Sequence, residues 1–187
     1  MRKGCDLSSP AILLAAEFDI PVLLFDNRGK VKARLWKSGF GSLAEIRRRQ
    51  LKWSDTRAAL EWVIEGIVQK SEGQIKILTW LVDRLPSQAQ TLDGAKGKMD
   101  GLLKGLRSMA NGKSDPTPEE IRTVEGQVGR IYWEAFFGAL KKYESADKRS
   151  RQPAEDPLNA LLNYGYGMLY GEVESAVLTA GLDPQVG

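Results

Sequence analysis

From Ser42 onward the apolar residues of this chain recur every three or four positions, the spacing of helices that bury one face. Ser42-Leu43-Ala44-Glu45 reads as a capping box that opens the first of these helices. Ser54 or Asp55 then caps a long helix running towards Pro86. Leu60, Val63, Ile64, Ile67, Val68, Ile75, Leu78, Leu81 and Val82 make its apolar stripe, with a break expected at Ser71 to Gly73. Gln88 to Ala110 reads as a shorter, glycine-rich helix, and residues 111 to 116 as a loop. Thr117, Pro118 and Glu120 form a second capping box, which starts a helix at Pro118. After a polar loop from Glu144 to Glu155, Asp156 caps a last helix that begins at Pro157 and stops at Gly181. Residues 7 to 36 break the helical period. They predict a short helix over Ala11 to Phe18, a strand over Pro21 to Phe25, a turn at Asp26 to Gly29 and a second strand over Lys30 to Trp36.

The helix from Pro118 carries the feature least like ordinary packing. At about 100° per residue, Ile121, Val124, Val128, Ile131, Tyr132, Ala135 and Ala139 share one broad face, while Arg122, Gln127, Arg130 and Glu134 point away from it. Glu125 sits at the rim of that stripe beside Gly126 and Gly129. Each interior glycine costs roughly 1 kcal/mol against alanine, so two within four residues suggest that something approaches this backbone closely. Glu125 is then either a boundary glutamate that reaches water or an arginine, or a metal ligand or general base in a cleft. Periodicity does not decide between the two. In the last helix Asn159 and Asn163, one turn apart, line a polar cleft beside Glu125 on the second reading, and Tyr166 joins them.

Composition narrows the chemistry. The 187 residues are 42% hydrophobic, enough for a real core. There is no histidine, which excludes Ser-His-Asp and Cys-His catalysis and imidazole-bound zinc within the chain. A phosphate loop of the Walker type is also missing. The single cysteine, Cys5, permits no internal disulfide, and no apolar run approaches the roughly 18 residues of a membrane span, so the expected location is cytoplasmic. Lys and Arg number 27 against 24 Asp and Glu, for a net charge of +3. The basic residues cluster at Arg28 to Lys37, Arg47 to Lys52, Lys96 to Lys113 and Lys141 to Arg151, which suits a phosphate-bearing partner or an ordinary solvated helix face. Arg122, Arg130, Lys148, Arg149 and Arg151 are the candidate DNA-binding residues; the last three lie in a loop before a helix N-terminus, where phosphate binding is favourable.

Taken in order, several segments resemble the CRISPR-associated integrase and endonuclease of the adaptation step, which inserts new spacers into the CRISPR array. They are Ile20 to Phe25 with Gly29 and Arg34-Leu35-Trp36, Val68 to Leu81, Val124-Glu125-Gly126 with Tyr132-Trp133, Arg149 to Arg151, Asp156 to Tyr166, and Ala180-Gly181-Leu182-Asp183-Pro184. The resemblance implies a mainly α chain: residues 1–38 as a small α/β remnant of an N-terminal β-domain, then residues 39–187 as an all-helical catalytic-type domain. It also implies a homodimeric, Mg²⁺- or Mn²⁺-dependent enzyme that cuts or joins DNA and works with a small ferredoxin-like adaptation partner. Glu125 stands where the family has its first metal-binding glutamate, which is chemically sensible because hard divalent ions take oxygen ligands.

The chain departs from the family at both ends. The family's other metal ligands, a histidine and an aspartate, follow the segment matched by Gly181 to Pro184, and this chain stops at Gly187 before a histidine appears. The first strands of the β-domain are absent as well. The expectation is therefore a piece truncated at both ends and catalytically impaired, since one carboxylate makes a poor Mg²⁺ site. The alternative, from a different class, is a non-catalytic DNA-binding or dimerisation module.

Overall fold

The computed structural model describes residues 6–18, 20, 22–25, 31–35, 43–112, 116–141, 148–151 and 153–186. The chain divides into two compact units, one made of Met1–Ser54 with Leu161–Gly187 and the other of Asp55–Ala160. Among the described residues there are six α-helices, one 3-10 turn and a two-stranded sheet, the mainly helical class expected. No described helix is long and apolar enough to cross a membrane.

In the second unit three helices pack around one core: α3 (Arg57–Arg84), α4 (Ala89–Ala110) and α5 (Pro118–Leu140). A 3-10 turn over Pro86–Gln88 reverses the chain between α3 and α4. The end of α4 returns to the start of α3, where the Arg57 guanidinium donates to the Ala110 carbonyl at 2.6 Å. Val68 and Leu78 of α3, Leu92, Met99 and Leu106 of α4, and Val128 of α5 are among the residues that fill the middle, all at most 1% exposed. Burying side chains of this size stabilises by about 1.5 to 3 kcal/mol each.

Two local expectations are corrected. The cap of α3 is Thr56, whose hydroxyl accepts from Ala59 N at 3.3 Å, while Ser54 ends the preceding helix and donates to the Leu51 carbonyl. No break occurs at residues 71 to 73. Ser71 is fully buried, and its hydroxyl donates to the Ile67 carbonyl one turn back at 2.7 Å, so a polar side chain is satisfied inside a continuous helix.

The first unit contains α1 (Ser9–Glu17), β1 (Val22–Phe25), β2 (Val31–Leu35), α2 (Leu43–Ser54) and most of α6 (Pro157–Thr179). The strands pair antiparallel with Val22 opposite Leu35, and the register shifts between Leu24 and Phe25. The turn expected at Asp26 to Gly29, the cap expected at Ser42 and the domain boundary expected between 38 and 39 lie outside the described residues. After α6 the chain turns at Gly181, whose φ of 79° is left-handed. A Cβ there would stand 2.7 Å from the Leu43 side chain, so glycine answers both the backbone and the packing. Gln50 of α2 then holds the tail through Asp183 N at 2.8 Å, Asp183 O at 2.9 Å and Val186 O at 3.1 Å.

Candidate functional site

The capping box at the start of α5 sets the phase of the helix that carries Glu125. Thr117 Oγ1 accepts from Glu120 N at 3.2 Å, and the Glu120 carboxylate accepts in return from Thr117 N at 2.7 Å and Oγ1 at 3.0 Å. Those bonds, the backbone one first, hold the Glu120 carboxyl below its ordinary pKa. With the start pinned, Ile121, Val128, Tyr132, Ala135 and Ala139 turn into the core, and Arg122, Gln127, Arg130 and Glu134 face outward.

Glu125 lands at the edge of this packing, its side chain 43% exposed, and pairs with the ammonium of Lys70 on α3. The bond engages Oε1; Oε2 has no partner among the described residues. Both readings left open by periodicity meet here, because a carboxylate at the rim has found a cation while keeping one oxygen towards solvent. Lys70 is absent from the candidates that the sequence supplies. Fifty-five positions separate the two residues, and the sole local signal was the place of Lys70 at the margin of the α3 stripe.

Among the described residues, no packing contact accounts for the glycines beside Glu125. A Cβ built on Gly126 or on Gly129 meets no atom within 4 Å, so no packing partner requires either residue to lack a side chain.

A divalent ion needs more than this. Among the described residues no three Asp, Glu, Cys or His side chains come together, so Glu125 fits as one oxygen ligand and the rest of a coordination sphere is not supplied.

The loop before α6 assembles differently from expectation. Asn159 is completely buried, and each hydrogen-bonding position of its amide is used. Oδ1 accepts from Ser150 N and Arg149 Nη1, both at 2.9 Å; Nδ2 donates to Lys148 O at 2.8 Å and Asp156 Oδ2 at 2.6 Å. A side chain so committed ties the loop to the helix and has no atom left to line a cleft. Asp156 caps α6 through Asn159 N at 2.8 Å. The Asn159 side chain, then its backbone, holds the Asp156 carboxyl below its usual value.

The candidate basic residues separate into two kinds. Arg149 is half-buried, bonded to Asn159 and the Ser150 carbonyl, and lies 5.6 Å over the Trp133 ring, so it is a structural cation of this knot. Lys148 and Arg151 flank it with exposed side chains. Arg122 is exposed and makes a loose 3.9 Å pair with Glu119; Arg130 is exposed and has no partner among the described residues. Asn163, half-buried, and Tyr166, 42% exposed, belong to the other compact unit.

The whole chain, residues 1–187, matches the family model described as CRISPR associated protein Cas1. It is 32% identical over 191 residues to CRISPR-associated endonuclease Cas1 1 of Archaeoglobus fulgidus, covering 97% of this chain and 55% of that protein. It is 31% identical to CRISPR-associated endonuclease Cas1 of Hyperthermus butylicus, covering 97% and 54%. The chain thus spans about half the length of these curated relatives. In fold it resembles a chain of a partial Cas6-RT-Cas1–Cas2 complex, with a TM-score of 0.66 at 22% identity over 96% of this chain and 52% of that one. A casposase bound to integration product gives 0.56 at 21% identity over 97% and 51%.

Proposed function

The chain belongs to the CRISPR associated protein Cas1 family, and on that footing we propose that it serves an endonuclease and integrase of CRISPR adaptation, with DNA as its substrate. Glu125 is the functional carboxylate. It would supply one oxygen ligand to Mg²⁺ or Mn²⁺, and such an ion would contribute charge stabilisation at phosphate and a more acidic hydroxyl. The observation that carries the reading is the position of Glu125 on α5: at the rim of the core, half-exposed, directly before Gly126 and one turn before Gly129, where an added Cβ would meet no described atom within 4 Å. DNA brought against that open stretch meets the exposed Arg122 and Arg130 on the same helix. Lys148 and Arg151, held out by the Asn159 knot, are further phosphate contacts. On this reading the protein works as a homodimer in the cytoplasm with a small ferredoxin-like partner, as its family membership suggests.

A second reading is favoured by one observation, the lack of a three-acid cluster among the described residues. On that reading these residues bind DNA or dimerise without catalysis. Cleavage and strand transfer on branched DNA with Mn²⁺, compared between the chain and Glu125→Ala at equal concentration, separates the two. Activity that disappears with Glu125 supports the enzyme; binding without activity in either protein supports the module.

A further inference from the structure

We infer that Arg149 is a positioning residue: it docks the loop from Lys148 to Arg151 onto α5, so that Lys148 and Arg151 join Arg130 in one phosphate-binding surface. The inference rests on the proposed contact of these three cations with DNA and adds what holds them together.

The loop is gripped from two elements at once, both within the 55–160 unit. On the first turn of α6, the Asn159 amide holds the residues on either side of Arg149, accepting from Ser150 N at 2.9 Å and donating to Lys148 O at 2.8 Å. Ser150 Oγ accepts from Glu155 N at 3.0 Å and closes the rest of the loop. None of these bonds reaches α5. Arg149 makes that connection, because its Nη1 donates to Asn159 Oδ1 at 2.9 Å while the guanidinium lies 5.6 Å from the centre of the Trp133 ring. Trp133 stands one turn after Arg130 on α5, so the loop is set down beside the turn that carries Arg130. Lys148, Arg151 and Arg130 are all exposed. Charges held in place before DNA arrives spare binding the cost of ordering a mobile loop.

Arginine is the side chain this arrangement needs. A planar guanidinium donates in its own plane and stacks on an aromatic face at the same time, whereas an ammonium brings the same charge without the fork. The acid of the knot is turned inward: Asp156 spends one oxygen on Asn159 N at 2.8 Å and the other on Asn159 Nδ2 at 2.6 Å.

The test is a double-mutant cycle on duplex DNA binding by the full chain in EDTA, read as the dissociation constant and as its slope against salt. Arg149→Lys keeps the charge and removes the fork; Lys148→Met and Arg130→Met each remove one phosphate contact. Positioning predicts that Arg149→Lys weakens binding about two- to ten-fold, the cost of ordering a long side chain of the loop on binding. Lys148→Met weakens binding and takes about one counterion from the slope in the wild-type background, but its effect shrinks towards none when Arg149→Lys is already present. Arg130→Met costs the same in both backgrounds, because α5 holds Arg130 without the loop. Thermal melts establish that each variant is folded at the binding temperature; should Arg149→Lys fail there, Trp133→Leu removes the ring from the other side and is expected to give the same pattern. An undiminished effect of Lys148→Met in the Arg149→Lys background overturns the inference and leaves the DNA reading standing, as does a folded Arg149→Lys that binds like wild type. Duplex binding indifferent to both Lys148→Met and Arg130→Met overturns the DNA reading of these residues, and the inference with it.

Discussion

Replacing Asn159 by alanine removes the side chain that closes the loop before α6. Four hydrogen bonds go with it, and the four partners left behind do not fare alike. The Arg149 guanidinium is half-exposed and the Asp156 carboxylate faces solvent in part, so water replaces much of what they lose. Ser150 is buried at 9% exposure; its N–H has no such recourse, and the Lys148 carbonyl turned towards the vacated space shares the problem. An unpaired buried polar group costs about 1 to 3 kcal/mol, and each remaining bond contributes about 0.5 to 1.5 kcal/mol net. The expected loss is about 3 kcal/mol or more for the 55–160 unit, most of it local to residues 148 to 159. Urea unfolding gives the total, and hydrogen exchange at the Ser150 amide gives the local part, with protection lost in the variant while the middle of α4 keeps its own. A change below about 1 kcal/mol together with an unaltered Ser150 exchange rate would refute the account, since it would mean that the four bonds add nothing over water.

Three further outcomes are expected. Gly126→Ala and Gly129→Ala each raise stability by up to about 1 kcal/mol, because the added methyl meets nothing and helix propensity improves; a drop in DNA affinity beside that gain would mark close approach of DNA to this backbone, read by thermal melts and a binding titration. Gly181→Ala destabilises the 43–54 helix and its tail, because the new residue must hold a φ of 79° with its Cβ 2.7 Å from Leu43, and loss of protection at the Asp183 amide reports it. Acid should weaken the starts of α5 and α6. The Glu120 and Asp156 pKa values are lower folded than unfolded, so their contribution is fully present above the ordinary carboxylate range of about 4 and declines as the pH falls through the folded values. Glu120→Gln and Asp156→Asn each flatten that decline in unfolding measured from pH 6 downwards.

Local order was legible because its causes lie within one turn. The Thr117 and Glu120 box, Pro118 and Pro157 at helix starts, Asp156 as a cap and Gly181 as a stop all act through bonds or torsions between residues at most four apart, and each stands where the spacing put it. The same holds for the α5 stripe and for Glu125 at its rim, since 3.6 residues per turn needs no partner to be read. Failures at this range were choices between neighbours. Thr56 rather than Ser54 or Asp55 caps α3 because α2 already claims Ser54, and Ser71 stays helical by bonding back to Ile67.

Tertiary structure alone decided the rest. Phe137 falls outside the stripe and is still 1% exposed, a burial that the helical period does not announce. Asn159, read as a cleft residue, spends its amide on Arg149, Ser150, Lys148 and Asp156, and Arg149, read as a DNA contact, commits one guanidinium nitrogen to it, since the loop folds back onto the first turn of α6. Lys70 meets Glu125 because the packing of α3 against α5 brings together positions 55 residues apart. Sequence spacing specifies which face a side chain occupies; which charge waits opposite depends on the relative register of two helices, and that is set by how their apolar stripes interlock.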